Sequence, residues 1–386
     1  MPRVPLTTIL LAASALAASV CLSGEAAHRA SASTTGLTLK PVTQGERAGW
    51  QRAEQALDFF LGPCHYRVRY IAYLDPKQPD RAIPGEGTIG MPMPSSCNWY
   101  HGGFLFIRVN GRDLGSTRLH RACVAETGAR AVGDMVWDSP QAVVRVRFLG
   151  LPGDDKLLCE VAIEPKAEIR DLRLRLRCYP SFFTAWHKRN GDRKIQTPAT
   201  TVSQGQNLKL PAAQHWYAVY HDTVFDVARG EGDGPCAALF LPDDVQTVRF
   251  RPGSYAVETE LVCPPARRRI RLALWDCRGQ ANADVLAAFR RHARRWQREL
   301  AETDFTPAAV RAFDARAELA RLDRLTRSPD VQRQLGDRAE GFRRRIQALA
   351  AAHGPPGILA QAELLDLLAA YREFLWELKV AALLAD

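Results

Sequence analysis

The chain has 386 residues, 46% of them hydrophobic, with 52 Lys and Arg against 42 Asp and Glu and a formal charge of +10. This is the composition of an ordinary globular protein with no shortage of core. The basic balance does not imply nucleic acid. The arginines stand at alternate strand positions (Arg145, Arg147; Arg173, Arg175, Arg177) or among Asp and Glu on helix surfaces, the pattern of solvated faces, and the consequence expected is weak attraction to anionic glycans or membrane surfaces.

At the N-terminus Arg3, an apolar run from Leu6 to Leu22, and small and polar residues through Ala32 follow the order of a secretory signal peptide, with cleavage after Ala26 or after the Ala30-Ser31-Ala32 triplet. The run falls short of the roughly 20 strongly apolar residues of a spanning helix. Export to the periplasm, cell envelope or medium is therefore expected, with no integral membrane span in the mature chain. Lipid attachment at Cys21 is the lesser reading, because Val20 is bulkier than such sites usually accept.

Residues 1–32 thus read as signal peptide and the start of a spacer, and residues 33–62 as flexible spacer followed by a helix. The helix is expected from Gly45 to Leu61, where Trp50, Ala53, Ala56, Leu57 and Phe60 recur at helical spacing before Gly62-Pro63.

From Cys64 to Cys277 nearly every segment reads as strand. His65 to Leu74 is aromatic and β-branched, Val143 to Phe148 and Lys156 to Ile163 flank a Pro152-Gly153-Asp154-Asp155 turn, and Ile169 to Cys178 alternates cleanly between Leu and Arg. Asn110-Gly111 supplies a type I′ hairpin turn after the polar, aromatic loop Ser95 to Gly103. Short strands with turn residues between them and no interposed helices argue for a sandwich or barrel rather than a parallel sheet, and an antiparallel sandwich is expected over residues 63–282. Eight cysteines (Cys64, Cys97, Cys123, Cys159, Cys178, Cys236, Cys263 and Cys277) lie in this region, an even number that predicts disulfides in an exported chain; buried free thiols are the alternative. No Cys/His spacing suits zinc, so neither metal nor cofactor is expected.

At Asp284 the period changes to three and four, and residues 283–386 read as a helical bundle or hairpin. Thr306-Pro307 and Ser328-Pro329 open helices, and an Ala/Leu-rich helix closes the chain.

Polar and aromatic groups gather at Asn98-Trp99-Tyr100-His101, at Trp186-His187 through Arg193, and at His215-Trp216-Tyr217 with His221-Asp222. Flat rings cover the C–H faces of a sugar and polar side chains satisfy its hydroxyls, so a common rim formed by these segments would bind carbohydrate. His101 beside Gly102-Gly103 is a candidate acid or base, or a turn cap. Asp134 and Asp138 flank Trp137 as a carboxylate pair near a ring, although turn capping is the commoner role. The sequence holds no nucleophile elbow, phosphate loop, dinucleotide fingerprint or His-Glu-x-x-His.

The run of strands Asp134–Phe148, Leu157–Pro165 and Ile169–Ser181 within residues 64–280 resembles the supersandwich of galactose-mutarotase-like proteins. Such proteins handle carbohydrates as epimerases, lyase domains or hydrolase accessory domains. The resemblance implies a sugar ligand and assigns no catalytic residue here. The expectation is a mainly β protein, a large antiparallel supersandwich-like domain followed by helices. It would bind or modify a carbohydrate through Asn98, Trp99, His101, Trp137, Trp186, His187, Arg193, His215, Tyr217, His221 and Asp222. The other reading is a non-catalytic envelope protein whose C-terminal helices hold a protein partner.

Overall fold

The structure is a computed structural model that describes residues 29–180, 192–230, 232–351 and 357–385. Its strands are β1 (Ser31–Thr34), β2 (Thr38–Pro41), β3 (Gln51–Phe60), β4 (His65–Asp75), β5 (Gln78–Met93), β6 (Leu105–Val109), β7 (Arg112–Asp113), β8 (Leu119–Glu126), β9 (Ala131–Asp138) and β10 (Ala142–Gly150). After them come β11 (Lys156–Pro165), β12 (Leu172–Cys178), β13 (Arg193–Gln196), β14 (Thr201–Ser203), β15 (Leu208–Pro211), β16 (Tyr217–Asp222), β17 (Cys236–Phe240), β18 (Thr247–Pro252), β19 (Val257–Cys263) and β20 (Arg269–Asp276). Helices α1 (Asn282–Glu302), α2 (Ala308–Arg311), α3 (Ala315–Leu325), α4 (Pro329–Ala351) and α5 (Ile358–Ala385) complete the chain.

Eleven strands form one sheet, in the order β1-β3-β4-β5-β6-β12-β19-β18-β15 with β2 on β3 and β7 on β6; nine form the other, β14-β13-β16-β17-β20-β11-β10-β9-β8. Every pairing between named strands is antiparallel. The expected fold class is the one found. In β4, Tyr66, Val68, Tyr70, Ala72 and Leu74 point inward while Arg67, Arg69, Ile71 and Tyr73 point outward. Phe59 meets Phe148 across the core at 6.2 Å and Tyr70 meets Trp137 at 6.2 Å. The Asn110-Gly111 turn forms as expected, with φ of 49° and 78°, and joins β6 to β7.

The outer faces of the two sheets differ. On the eleven-stranded sheet β12 alternates buried leucines with half-buried arginines, the signature of one wet face. On the nine-stranded sheet every residue of β10 is buried, because α1 lays Phe289 on Tyr217 and Trp275, and α5 brings Ile358 against Val136, Val143 and Ala162. Arg145 and Arg147 are consequently not on a solvated face. Arg147 is 1% exposed and doubly bonded to Asp134, both at 2.6 Å, and Arg145 pairs with Glu160 at 2.9 Å.

Further corrections concern chain organisation. The segment expected as a helix up to Leu61 contains a strand: β3 pairs with β4 from Gln51↔Leu74 to Phe60↔His65. Its inward set is Ala53, Gln55, Leu57 and Phe59; the polar Gln55, which donates to the Ala122 carbonyl at 3.2 Å, breaks the apolar alternation. The spacer contributes β1 and β2 to the same sheet edge. The core packing continues past residue 282, since α1 residues Val285, Phe289, Ala293 and Leu300 belong to the sandwich core. Helices α3, α4 and α5 build a separate core around Leu322, Ile346, Tyr371, Phe374 and Leu378. No disulfide joins the eight described cysteines; six are buried as thiols, filling core positions as small apolar side chains do.

Candidate functional site

The wet outer face of the eleven-stranded sheet carries a recess of about 350 Å³ lined by Arg52 of β3, Arg69, Ile71 and Tyr73 of β4, Gly85 of β5, and His101 and Gly102 of the following loop. The alternation of β4 puts Arg69, Ile71 and Tyr73 on this face. The loop reaches it by lying directly on β5. A Cβ on Gly90 would stand 1.9 Å from the His101 carbonyl oxygen, and one on Gly87 would stand 2.6 Å from Cα of Gly103, so only glycine admits this approach.

The foot of the loop is buried. Asp276 accepts from the Ser95 N–H at 3.1 Å, the Ser95 hydroxyl at 2.8 Å and Asn98 Nδ2 at 2.9 Å, while Trp99 donates from Nε1 to the Trp275 carbonyl at 2.9 Å. Burial pushes the Asp276 carboxyl up to about 6 despite these donors. Asn98 and Trp99, both 0% exposed, therefore anchor the loop, and His101 is the residue it presents.

His101 Nδ1 lies 2.9 Å from the Ser96 carbonyl oxygen, which only accepts, so Nδ1 carries a proton and donates; the tautomer this selects has its acceptor lone pair on Nε2. Among the described residues Nε2 has no hydrogen-bond partner. Arg69 donates from Nη2 to the His101 carbonyl at 3.0 Å and from Nη1 to Glu54 at 3.4 Å; Arg52 donates to the other Glu54 oxygen at 3.2 Å. The Nε–H groups of Arg52 and Arg69 are buried without an acceptor. The recess is thus lined by two guanidinium groups, an imidazole and a phenol ring whose face Arg47 covers at 4.2 Å, with Glu54 holding the two guanidinium groups together. That set suits a ligand dense in hydroxyl groups.

The other expected residues that the structure describes do not meet at this rim. Trp137 is fully buried between the sheets, and Asp134, facing the helix side, is bound to Arg147, so the carboxylate pair about Trp137 is not a site. Arg193 is 3% exposed and donates to the Ser254 carbonyl. His215 is bonded to Thr197 Oγ1 at 2.9 Å, and burial lowers its basicity. Tyr217 and His221 lie on the β16 face that meets α1, since Tyr217 contacts Phe289 whereas Tyr220 between them points inward to Thr259. Burial also lowers the pKa of His221. Asp222 is fully buried and accepts from the Val224 N–H at 3.0 Å. Trp186 and His187 lie outside the described residues. Sequence reasoning missed Arg52, Glu54, Arg69 and Tyr73; the available signal was the outward half of the β4 alternation.

Among the described residues no three His, Cys, Asp or Glu side chains gather to hold a metal ion, and no helix is long and apolar enough to cross a membrane.

No protein-family model matches the chain, and no curated protein matches it in sequence. Among solved structures it is similar to a putative aldose 1-epimerase from Klebsiella pneumoniae, at 10% identity over 67% of this chain and 87% of that one, with a TM-score of 0.38. It is similar to an alpha-N-acetylgalactosaminidase from Bifidobacterium bifidum at 10% identity, covering 69% of this chain and 41% of that one, TM-score 0.38. A GH36 alpha-galactosidase from Geobacillus stearothermophilus matches at 8% identity over 62% of this chain and 41% of that one, TM-score 0.31. The chain thus spans about two fifths of the length of the two hydrolases. The expected resemblance to the mutarotase-like supersandwich is present as a likeness of chain trace, and it transfers no residue role.

Proposed function

We propose that this is a carbohydrate-handling protein whose sugar sits in the His101 recess on the open face of the eleven-stranded sheet. One observation carries the reading. Two guanidinium groups, Arg52 and Arg69, line one recess of about 350 Å³ together with His101 and Tyr73, a set that can donate to and accept from a hydroxyl-rich ligand. His101 Nε2 would accept a proton from a bound hydroxyl if the ligand is modified there. A glycan array probed with the full chain tests the reading: retention of one sugar class above background supports it, and an array with no retained glycan overturns it.

Export belongs to the same proposal. Its support is the order of residues 1–32, and the mature N-terminus found after expression with the native leader tests it.

A second reading, a protein partner held by the helices, is favoured by the apolar stripe Trp376, Val380 and Leu383 on α5, which are 69%, 41% and 79% exposed beside a groove of about 350 Å³ lined by Phe313, Leu368, Tyr371 and Leu375. An amphipathic helix of the partner is the shape that fits a groove between helices. Co-purification of a partner that Trp376→Ala with Leu383→Glu abolishes supports it; a strictly monomeric, partner-free chain from its native envelope contradicts it.

A further inference from the structure

Beside the His101 recess, on the same outer face, the register of five strands assembles a basic field. Phe106, Arg175, Glu260, Arg249 and Lys209 stand opposite one another in a row across β6, β12, β19, β18 and β15. Arg177, Glu258 and Arg251 form a second row, and Arg108 and Arg173 lie directly opposite in a third. Seven cations therefore share this area with two glutamates, with Asp113 and Asp171 at its margin.

Two features make this more than a solvated face. Arg108 opposes Arg173 and Lys209 opposes Arg249 with no intervening carboxylate, a like-charge arrangement that costs sheet stability. Glu258 is already shared by Arg175 at 3.2 Å, Arg177 at 3.1 Å and Arg251 at 2.9 Å, and Glu260 holds Arg173 at 3.3 Å. Among the described residues, Arg108, Arg249 and Lys209 are left without an ion pair. A small cleft of about 90 Å³ opens between Phe106, Arg108, Arg173, Arg175 and Arg251, with Asp113 and Glu260 also on its lining.

Resting on the carbohydrate reading of the recess, we propose that the sugar is acidic: a carboxylate- or sulfate-bearing oligosaccharide that runs from the His101 recess onto this field, its anionic groups taken by Arg108, Arg249 and their neighbours. The interleaved glutamates separate this ligand from nucleic acid. A sugar chain offers hydroxyl donors to Glu258 and Glu260 between its acidic groups, whereas successive phosphates would be repelled there. The ring of Phe106 does not serve as a base-stacking platform, since the Arg175 guanidinium lies over it at 4.1 Å.

The test titrates the full chain with an oligogalacturonate, an oligosaccharide of sulfated dextran, unsulfated dextran of the same length, and single-stranded DNA of matched charge, at low and physiological salt. The variant is Arg108→Gln with Arg249→Gln; these arginines have no ion partner, so their loss orphans no carboxylate. The proposal predicts that at least one acidic sugar binds more tightly than dextran and DNA. That preference shrinks with salt, and the double variant weakens acidic-sugar binding by about tenfold without altering dextran binding. Carboxylate against sulfate is decided by which acidic probe is preferred. Equal binding of acidic sugars and dextran, a variant that keeps the preference, or DNA binding as tightly as the sugars overturns this inference alone, provided an oligosaccharide still binds. Absence of binding by every oligosaccharide tested overturns it together with the reading of the recess.

Discussion

The carbonyl oxygen of Ser96 accepts a hydrogen bond from Nδ1 of His101 at 2.9 Å, and this contact across five residues leaves Nε2 as the imidazole nitrogen that can accept. His101→Asn retains an amide donor for Ser96 and removes the ring nitrogen acceptor at the Nε2 position. We expect sugar binding to weaken by about tenfold, the worth of one hydrogen bond, while the urea midpoint stays unchanged. A variant that binds as well as wild type removes His101 from the site.

Gly90→Ala adds a methyl group where the His101 carbonyl already stands, at 1.9 Å. Backbone must move to accommodate it, so a loss of about 1–3 kcal/mol is expected from urea denaturation, with weakened ligand binding. Gly111→Ala, where no atom lies within 4 Å but φ is +78°, strains the hairpin turn without displacing the loop. If both variants lose binding equally, close approach at Gly90 does not position His101.

The ion pairs divide by burial. Asp134→Ala leaves the Arg147 guanidinium, 1% exposed, with only the Phe305 carbonyl at 3.0 Å, and should cost about 3–5 kcal/mol. Asp138→Ala breaks the exposed pair with Lys166 and should cost under about 1 kcal/mol. Similar losses in urea for the two variants would contradict the placement of Arg147 beneath the helices.

Asp276 has a folded pKa raised to about 6 because it is buried without a cation. The native state then binds this proton more tightly than the unfolded chain does, so the stabilisation is complete below about pH 4 and is lost as pH rises through about 6. The two-unit shift corresponds to about 3 kcal/mol. Burial lowers the pKa of His215 and His221, whose contributions are instead lost on acidification, so the test is a difference between proteins. Wild-type stability minus that of Asp276→Asn should fall between about pH 4 and about pH 7; a pH-independent difference contradicts the assignment.

Ala30 is fully buried and exchanges hydrogen bonds with Gly128, 2.8 Å in each direction, and Ser31 and Ala32 pair with Phe60 and Phe59. If the leader is removed, processing therefore precedes Ala30, after Ala26 of the two candidate sites. Intact mass of the exported protein decides this, and a mature chain beginning at Ser33 would contradict it.

The sheets were legible where one face is wet and one dry. The Leu/Arg alternation of β12 and the aromatic β4 read directly as strands, and Asn110-Gly111 as their kind of turn. β3 was hidden by Gln55, a polar residue turned inward onto a backbone carbonyl, and the arginines of β10 passed as a solvated face because their cover is supplied by helices more than a hundred residues later. Of the site, His101 was visible from its glycine-marked loop. Its neighbours were not, because Arg52 and Glu54 become an outward pair only once β3 is known to be a strand. Tyr217 and His221 share local composition with His101, but strand alternation sends them to the other side of the sandwich.

The most direct test of the central claim is calorimetric titration of the wild-type chain, and of Arg69→Met with His101→Ala, with the sugar best retained on a glycan array. The account predicts saturable binding by wild type, loss of at least about tenfold in affinity in the double variant, and matching urea midpoints. Equal affinity in the two proteins would place the ligand elsewhere and contradict the assignment of the His101 recess.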